Sequence, residues 1–190
     1  MPSAFNVLAK DHEEVKAMLA ELERGPTFAT GANEDQLALR KKMAQQLVIE
    51  ESKHEAVEEM YFWPAVRKHL PDGDDLANQA QQQEQEGKEV LDQLDKLPPE
   101  DDDFENLLAQ FVGDGRAHIA FEEERVWPGM RSALSSEEAE ELGRKLEQGK
   151  KTAPTRPHPK TPASPGVLKT AGPAAAAADR IRDKVTGRDE

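Results

Sequence analysis

The chain has 190 residues, a formal net charge of −13 and no cysteine. That excludes disulfides, thiolate nucleophiles and sulfur-ligated zinc or iron–sulfur centres, and the length supports one core with additional segments rather than two full domains. With 36% hydrophobic residues, 5% aromatic and many strong helix formers, the composition predicts an all-α protein. The charge is uneven: residues 1–148 hold 16 Lys/Arg against 34 Asp/Glu, and residues 149–190 hold 9 against 4. So acidic a body repels phosphate backbones, and nucleic acid is not an expected partner. The start, MPSAFNVLAKDHEEV, shows no secretory signal, and no segment has the length of a membrane span, so the expected location is the cytoplasm.

Residues 4–24 read as a first helix, with Phe5, Leu8, His12, Val15, Leu19 and Leu22 recurring in steps of three and four. Gly25-Pro26 ends it. A second helix spans about 34–70, with Leu37, Met43, Leu47, His54, Glu58 and Tyr61 inward and an expected kink at Pro64, which lacks a backbone donor. Pro71-Asp72-Gly73 is a turn, and a third helix covers about 74–97 before Pro98-Pro99. The fourth covers about 102–133, with its own kink expected at Pro128. Ser135-Ser136-Glu137-Glu138 opens a short fifth helix in residues 135–149. Residues 150–173 form a Pro-rich, extended linker, and 174–190 a short basic helical tail, with Ala174, Ala178, Ile181 and Val185 on one stripe. The fold expectation is an up-down-up-down four-helix bundle over residues 1–134, with a partly disordered tail.

One phrase occurs twice: HEAVEEMYFWPAVRKHL at 54–70 and HIAFEEERVWPGMRSAL at 118–134. The common frame is His-x-x-x-Glu-Glu-x-x-x-Trp-Pro-x-x-Arg-x-x-Leu. Residues four apart share one helix face, roughly 6 Å apart along the axis. His54/Glu58 and His118/Glu122 are therefore two matched imidazole–carboxylate pairs on two helices. Together with His12 they place five polar groups inward. Neutral imidazoles cannot cancel two buried carboxylates, whereas a bound cation can. Nitrogen and oxygen donors with carboxylates able to bridge suit iron or manganese, and two bridging carboxylates suit ions about 3.5–4 Å apart.

These residues resemble the hemerythrin-like (HHE) family, whose pattern is a His on helix one, His-x-x-x-Glu on helix two, a His on helix three and His-x-x-x-Glu or Asp on helix four. The likeness covers roughly residues 4–134. It implies a non-haem centre of two oxo- or hydroxo-bridged iron ions, with His12, His54 and His118 as terminal ligands and Glu58 and Glu122 as bridges. Helix three departs from the pattern, because it has no His. Aligned on helix one by its heptad, its expected His position is Gly87. Tyr61, seven residues after His54, and Glu86, beside Gly87, are the candidate replacements, with water as the third possibility. Trp63 and Trp127 read as core plugs at the bundle end.

The resemblance implies a protein reacting with dioxygen, hydrogen peroxide or nitric oxide. Extra oxygen donors in place of a His favour peroxide decomposition of the catalase type. An alternative is an iron or oxygen sensor that acts on a protein partner through the tail.

Overall fold

The computed structural model describes residues 2–161 and 165–187. Helix starts follow local capping chemistry. Ser3 opens α1 (Ala4–Arg24), Asn33 opens α2 (Glu34–Val57) and Ser135 opens α7 (Ser136–Lys150), each in a reciprocal capping box with the residue three further on. Such boxes satisfy N–H groups that a helix start leaves without partners. The other helices are α3 (Trp63–His69), α4 (Gly73–Leu94), α5 (Asp102–Phe121), α6 (Trp127–Ala133) and α8 (Pro165–Thr186). No strand occurs among the described residues.

α2 runs into α3, and α5 into α6, through five-residue π-helical turns at Glu58–Phe62 and Glu122–Val126. Four long helical legs result (α1, α2–α3, α4 and α5–α6), forming an up-down-up-down four-helix bundle. The prolines where kinks are expected lie immediately after these turns. Pro64 and Pro128 cannot donate to the ladder, and the N–H groups of Trp63 and Trp127 reach back five residues, to the carbonyls of Glu58 and Glu122. A π turn adds one residue to the helical count, so side chains beyond it are rotated by about 100° from a straight-helix projection.

Two apolar clusters fill the bundle. One contains Phe5, Leu8, Val57, Phe62, Trp63, Ala80 and Trp127; the other contains Val15, Leu19, Leu47, Leu91, Phe104 and Phe111. On α1 the first ends at Leu8 and the second begins at Val15; on α4 the corresponding residues are Ala80 and Val90. His12 and Glu84 fall in these gaps, so the polar site is a layer between two dry ones.

α7 packs across α1 and α2, where Gly143 lies against the backbone of Pro2–Ala4 and Gly149 against Tyr61 and Val57. The tail is more structured than its sequence suggests. α8 begins at Pro165, with Pro173 in its interior, rather than at residue 174. Ile181 and Val185, expected on a packing stripe, are 66% and 83% exposed. Instead α8 buries Leu168, Ala176, Asp179 and Asp183. The two aspartates hold the segment before it. Asp179 accepts from the Thr155 N–H and faces His158 Nε2 at 2.9 Å, and Asp183 accepts from the Thr155 hydroxyl (2.5 Å) and Arg156 Nε (2.9 Å). Buried hydrogen bonds, not an apolar stripe, fix this element.

Candidate metal centre

Six side chains from all four legs converge between the two apolar clusters. His12 comes from α1, His54 from α2, Glu58 from the first π turn, Glu84 from α4, His118 from α5 and Glu122 from the second π turn. Their ligand atoms form two overlapping groups, His12/His54/Glu58/Glu122 and Glu58/Glu84/His118/Glu122, each with its atoms within 4.8 Å of one another. Glu58 and Glu122 belong to both.

Each imidazole is held by its outer nitrogen. His12 Nδ1 donates to Glu123 Oε1 at 2.9 Å, and Lys16 Nζ donates to the same carboxylate at 2.8 Å. His54 Nδ1 donates to Asp11 Oδ2 at 3.3 Å, and Lys150 pairs with the other Asp11 oxygen. His118 Nδ1 donates to Gln83 Oε1 at 2.9 Å. A proton fixed on Nδ1 leaves the Nε2 lone pair as the inner face of the ring, the arrangement of a metal-ligating His with its outer partner.

The inner atoms have no hydrogen-bond partner. His12 Nε2, His54 Nε2, His118 Nε2, Glu84 Oε2 and both oxygens of Glu58 and Glu122 are all buried and unsatisfied. The closest approaches are His118 Nε2 to Glu122 Oε1 at 3.0 Å, His54 Nε2 to Glu58 Oε2 at 3.2 Å and His12 Nε2 to Glu122 Oε2 at 3.3 Å. Lone pairs facing carboxylate oxygens across such gaps repel unless a cation or proton lies between them. The titration behaviour carries the same conflict. Burial, reinforced by the Glu122 charge, pushes Glu58 well above the ordinary carboxylate range, and burial together with Glu59 does the same to Glu84. Burial works against Glu122 too, but His118 and His12 hold it below its usual value. Burial likewise lowers His54. Eight unsatisfied nitrogen and oxygen atoms around two shared carboxylates fit a pair of metal ions.

The geometry brings together five of the seven residues expected from the sequence, and leaves Tyr61 and Glu86 outside. Tyr61 would stand above His54 on a straight helix, but the π turn rotates it outward. Its ring packs on Gly149, and Lys169 Nζ lies 5.0 Å from the ring centroid. Glu86 is exposed and accepts from Gln82, one turn earlier on α4. The helix-three position is occupied by Glu84, a residue the heptad alignment missed. Gly87, aligned there with His12, instead lies close to Glu55 and Phe111. Sliding the alignment by three residues pairs Phe5, Leu8, His12, Val15, Leu19 and Leu22 with Ala77, Ala80, Glu84, Gly87, Leu91 and Leu94, all of which are buried. That second register was the available signal.

Trp63 and Trp127 are core residues as read, yet both also touch the site. The Trp63 Nε1 hydrogen bond goes to Glu84 Oε1. Trp127 stacks on His12, with centroids 5.0 Å apart and planes at 13°.

The fold and this donor layer define a helical-bundle protein with a cation-binding centre inside. The family model for the hemerythrin HHE cation-binding domain matches residues 3–130, and the chain belongs to that family. An uncharacterized hemerythrin-like protein of Schizosaccharomyces pombe is 27% identical over 184 residues, which is 96% of this chain and 86% of that protein. A DNA nickase of Nostoc is 23% identical over 145 residues, covering 76% of this chain but 38% of the nickase. The crystal structure of a hemerythrin HHE cation-binding domain-containing protein from Mycobacterium kansasii superposes with a TM-score of 0.65 at 23% identity, covering 94% of this chain and 99% of that one.

Proposed function

We propose that the chain holds two iron ions and, so loaded, decomposes hydrogen peroxide. The observation that carries this reading is the sharing of Glu58 and Glu122 between two donor groups whose inner atoms are all unsatisfied. In it, Glu58 and Glu122 would serve both positions, with His12 and His54 holding one ion and His118 and Glu84 the other.

An iron pair supplies two-electron redox chemistry at small oxygen species, and disproportionation of two peroxides to two waters and one dioxygen requires no outside reductant. The protein's part is positioning. Glu123, Asp11 and Gln83 fix the three imidazole planes. The apolar layers on either side keep bulk water from the carboxylates, strengthening their hold on a cation. Glu84 adds a negative charge where the family pattern has a neutral imidazole, which favours the higher oxidation state and disfavours reversible oxygen carriage. Dioxygen and nitric oxide are the other small molecules such a centre would accept.

The test is peroxide turnover, read as dioxygen release, by iron-loaded wild type and by Glu84→His, which restores the family pattern. The reading predicts that Glu84→His keeps iron but loses most turnover. Undiminished turnover in the variant, or none in fully loaded wild type, would contradict it.

A second reading rests on a separate contact. α8 packs on the π turn that carries Glu58, with Lys169 over the Tyr61 ring. Loss of metal would then be felt by the tail, as a sensor with a protein partner requires. If removal of residues 151–190 abolishes capture of a partner while leaving peroxide turnover intact, the sensor reading takes precedence.

A further inference from the structure

The two copies of the repeated phrase are not equivalent in what their tryptophans do. Trp63 is fully buried, and its N–H reaches Glu84 Oε1 across the bundle, from α3 to α4. Trp127, at the same place in the second copy, leaves its Nε1 buried without a partner and lays its ring on His12. Each phrase therefore sends its tryptophan to the one site residue supplied by a leg that lacks the phrase, Glu84 on α4 or His12 on α1. The chemistry of those two residues explains the difference. His12 already donates through Nδ1 to Glu123, and its Nε2 faces the centre, so only the ring face is left for Trp127. Glu84 has two oxygens: Oε2 is buried without a partner, and Oε1 accepts the Trp63 N–H.

We propose that Trp63 is the positioning residue for Glu84. Its indole N–H occupies the outer oxygen and aims the inner one at the second metal position, while Trp127 supports His12 through its ring alone. This rests on the two-metal reading above. Glu84 has no other anchoring hydrogen bond among the described residues, whereas each His has a polar partner on its outer nitrogen. An outer partner of a metal ligand is worth about 10- to 100-fold in metal affinity.

The experiment applies one substitution to both copies. Full-length wild type, Trp63→Phe and Trp127→Phe are titrated with Co(II), and binding is followed by the visible absorption of the bound ion. Phe keeps an aromatic plug and removes the N–H in each case. The inference predicts that Trp63→Phe binds the first equivalent as wild type does and the second about 10- to 100-fold more weakly. Trp127→Phe, which gives up the same ring area but only an unpartnered N–H, leaves the second equivalent bound much more tightly than Trp63→Phe does. In Glu84→Gln, which removes the inner carboxylate oxygen, adding Trp63→Phe produces no further loss. Melting of the metal-stripped variants checks folding, and the non-additivity is a readout that a plain packing role would not produce. Equal behaviour of the two Phe variants, or additive losses in the double variant, overturns the inference. Wild type that binds fewer than two equivalents overturns the two-metal reading itself.

Discussion

Glu84→Gln should stabilise the stripped protein, and saturating metal should cancel or reverse that gain. In the stripped protein, burial and the neighbouring Glu59 push the Glu84 carboxyl well above its ordinary value of 4.5, against the pull of Lys88. Keeping that carboxyl protonated costs the stripped fold more as pH rises above 4.5, by at most about 1.4 kcal/mol for each pH unit. A glutamine needs no such proton, and its amide oxygen still accepts from Trp63. The stripped variant should therefore gain up to about 3 kcal/mol at pH 7, which is roughly 6–12 °C in melting temperature for a chain of this size. The sign follows from linkage: a carboxyl with a raised folded value stabilises fully below pH 4.5 and loses that contribution as pH rises, so the gain shrinks to nothing near pH 4. With metal present the variant loses a ligand, and the second ion should bind at least about 100-fold more weakly, an opposing loss of about 3 kcal/mol. Thermal melts with chelator and with saturating Fe(II) under nitrogen give both numbers. A shift of the same sign and size in the two conditions would refute the placement of Glu84 in the centre.

Three further outcomes follow from other parts of the molecule. His118→Ala should lose metal and holo-protein melting temperature, whereas His69→Ala, outside the donor layer, should change neither; metal analysis and melting of the purified variants decide it. Burial raises Glu51 to about 7, so Glu51→Gln should stabilise the stripped protein by up to about 3 kcal/mol at pH 8 and by nothing at pH 4, as read by urea titrations at the two pH values. A Cβ at Gly143 would lie 2.5 Å from the Pro2 carbonyl oxygen, whereas one at Gly113 meets nothing within 4 Å. Gly143→Ala should therefore cost about 1–3 kcal/mol and Gly113→Ala, in mid-helix, should gain up to about 1 kcal/mol, the two melts moving in opposite directions.

Much of the architecture was legible because it depends on local signals. Alternating steps of three and four marked the helix faces, Ser135 and Glu138 formed the expected capping box, and the repeated His-x-x-x-Glu placed four of the six converging side chains. Glu84 was obscured by the same periodicity. A slide of three residues preserves a pattern built on threes and fours, so α4 can be aligned on α1 in two ways, and only packing chooses between them. Tyr61 was misprojected for another reason. The π turns at Glu58 and Glu122 insert a residue into the helical count, and a straight-helix projection then errs by about 100° for every side chain beyond them. The tail's order was hidden because aspartates at 179 and 183, rather than an apolar stripe, hold it in place.

The central claim is a paired centre, and metal stoichiometry tests it most directly. Protein purified from iron-supplied cells, or stripped and titrated anaerobically with Fe(II), should contain about two irons per chain, falling to one or fewer in Glu122→Ala, which removes a carboxylate shared by both positions. One iron per wild-type chain at saturation, zinc in its place, or full loading of Glu122→Ala would contradict the account.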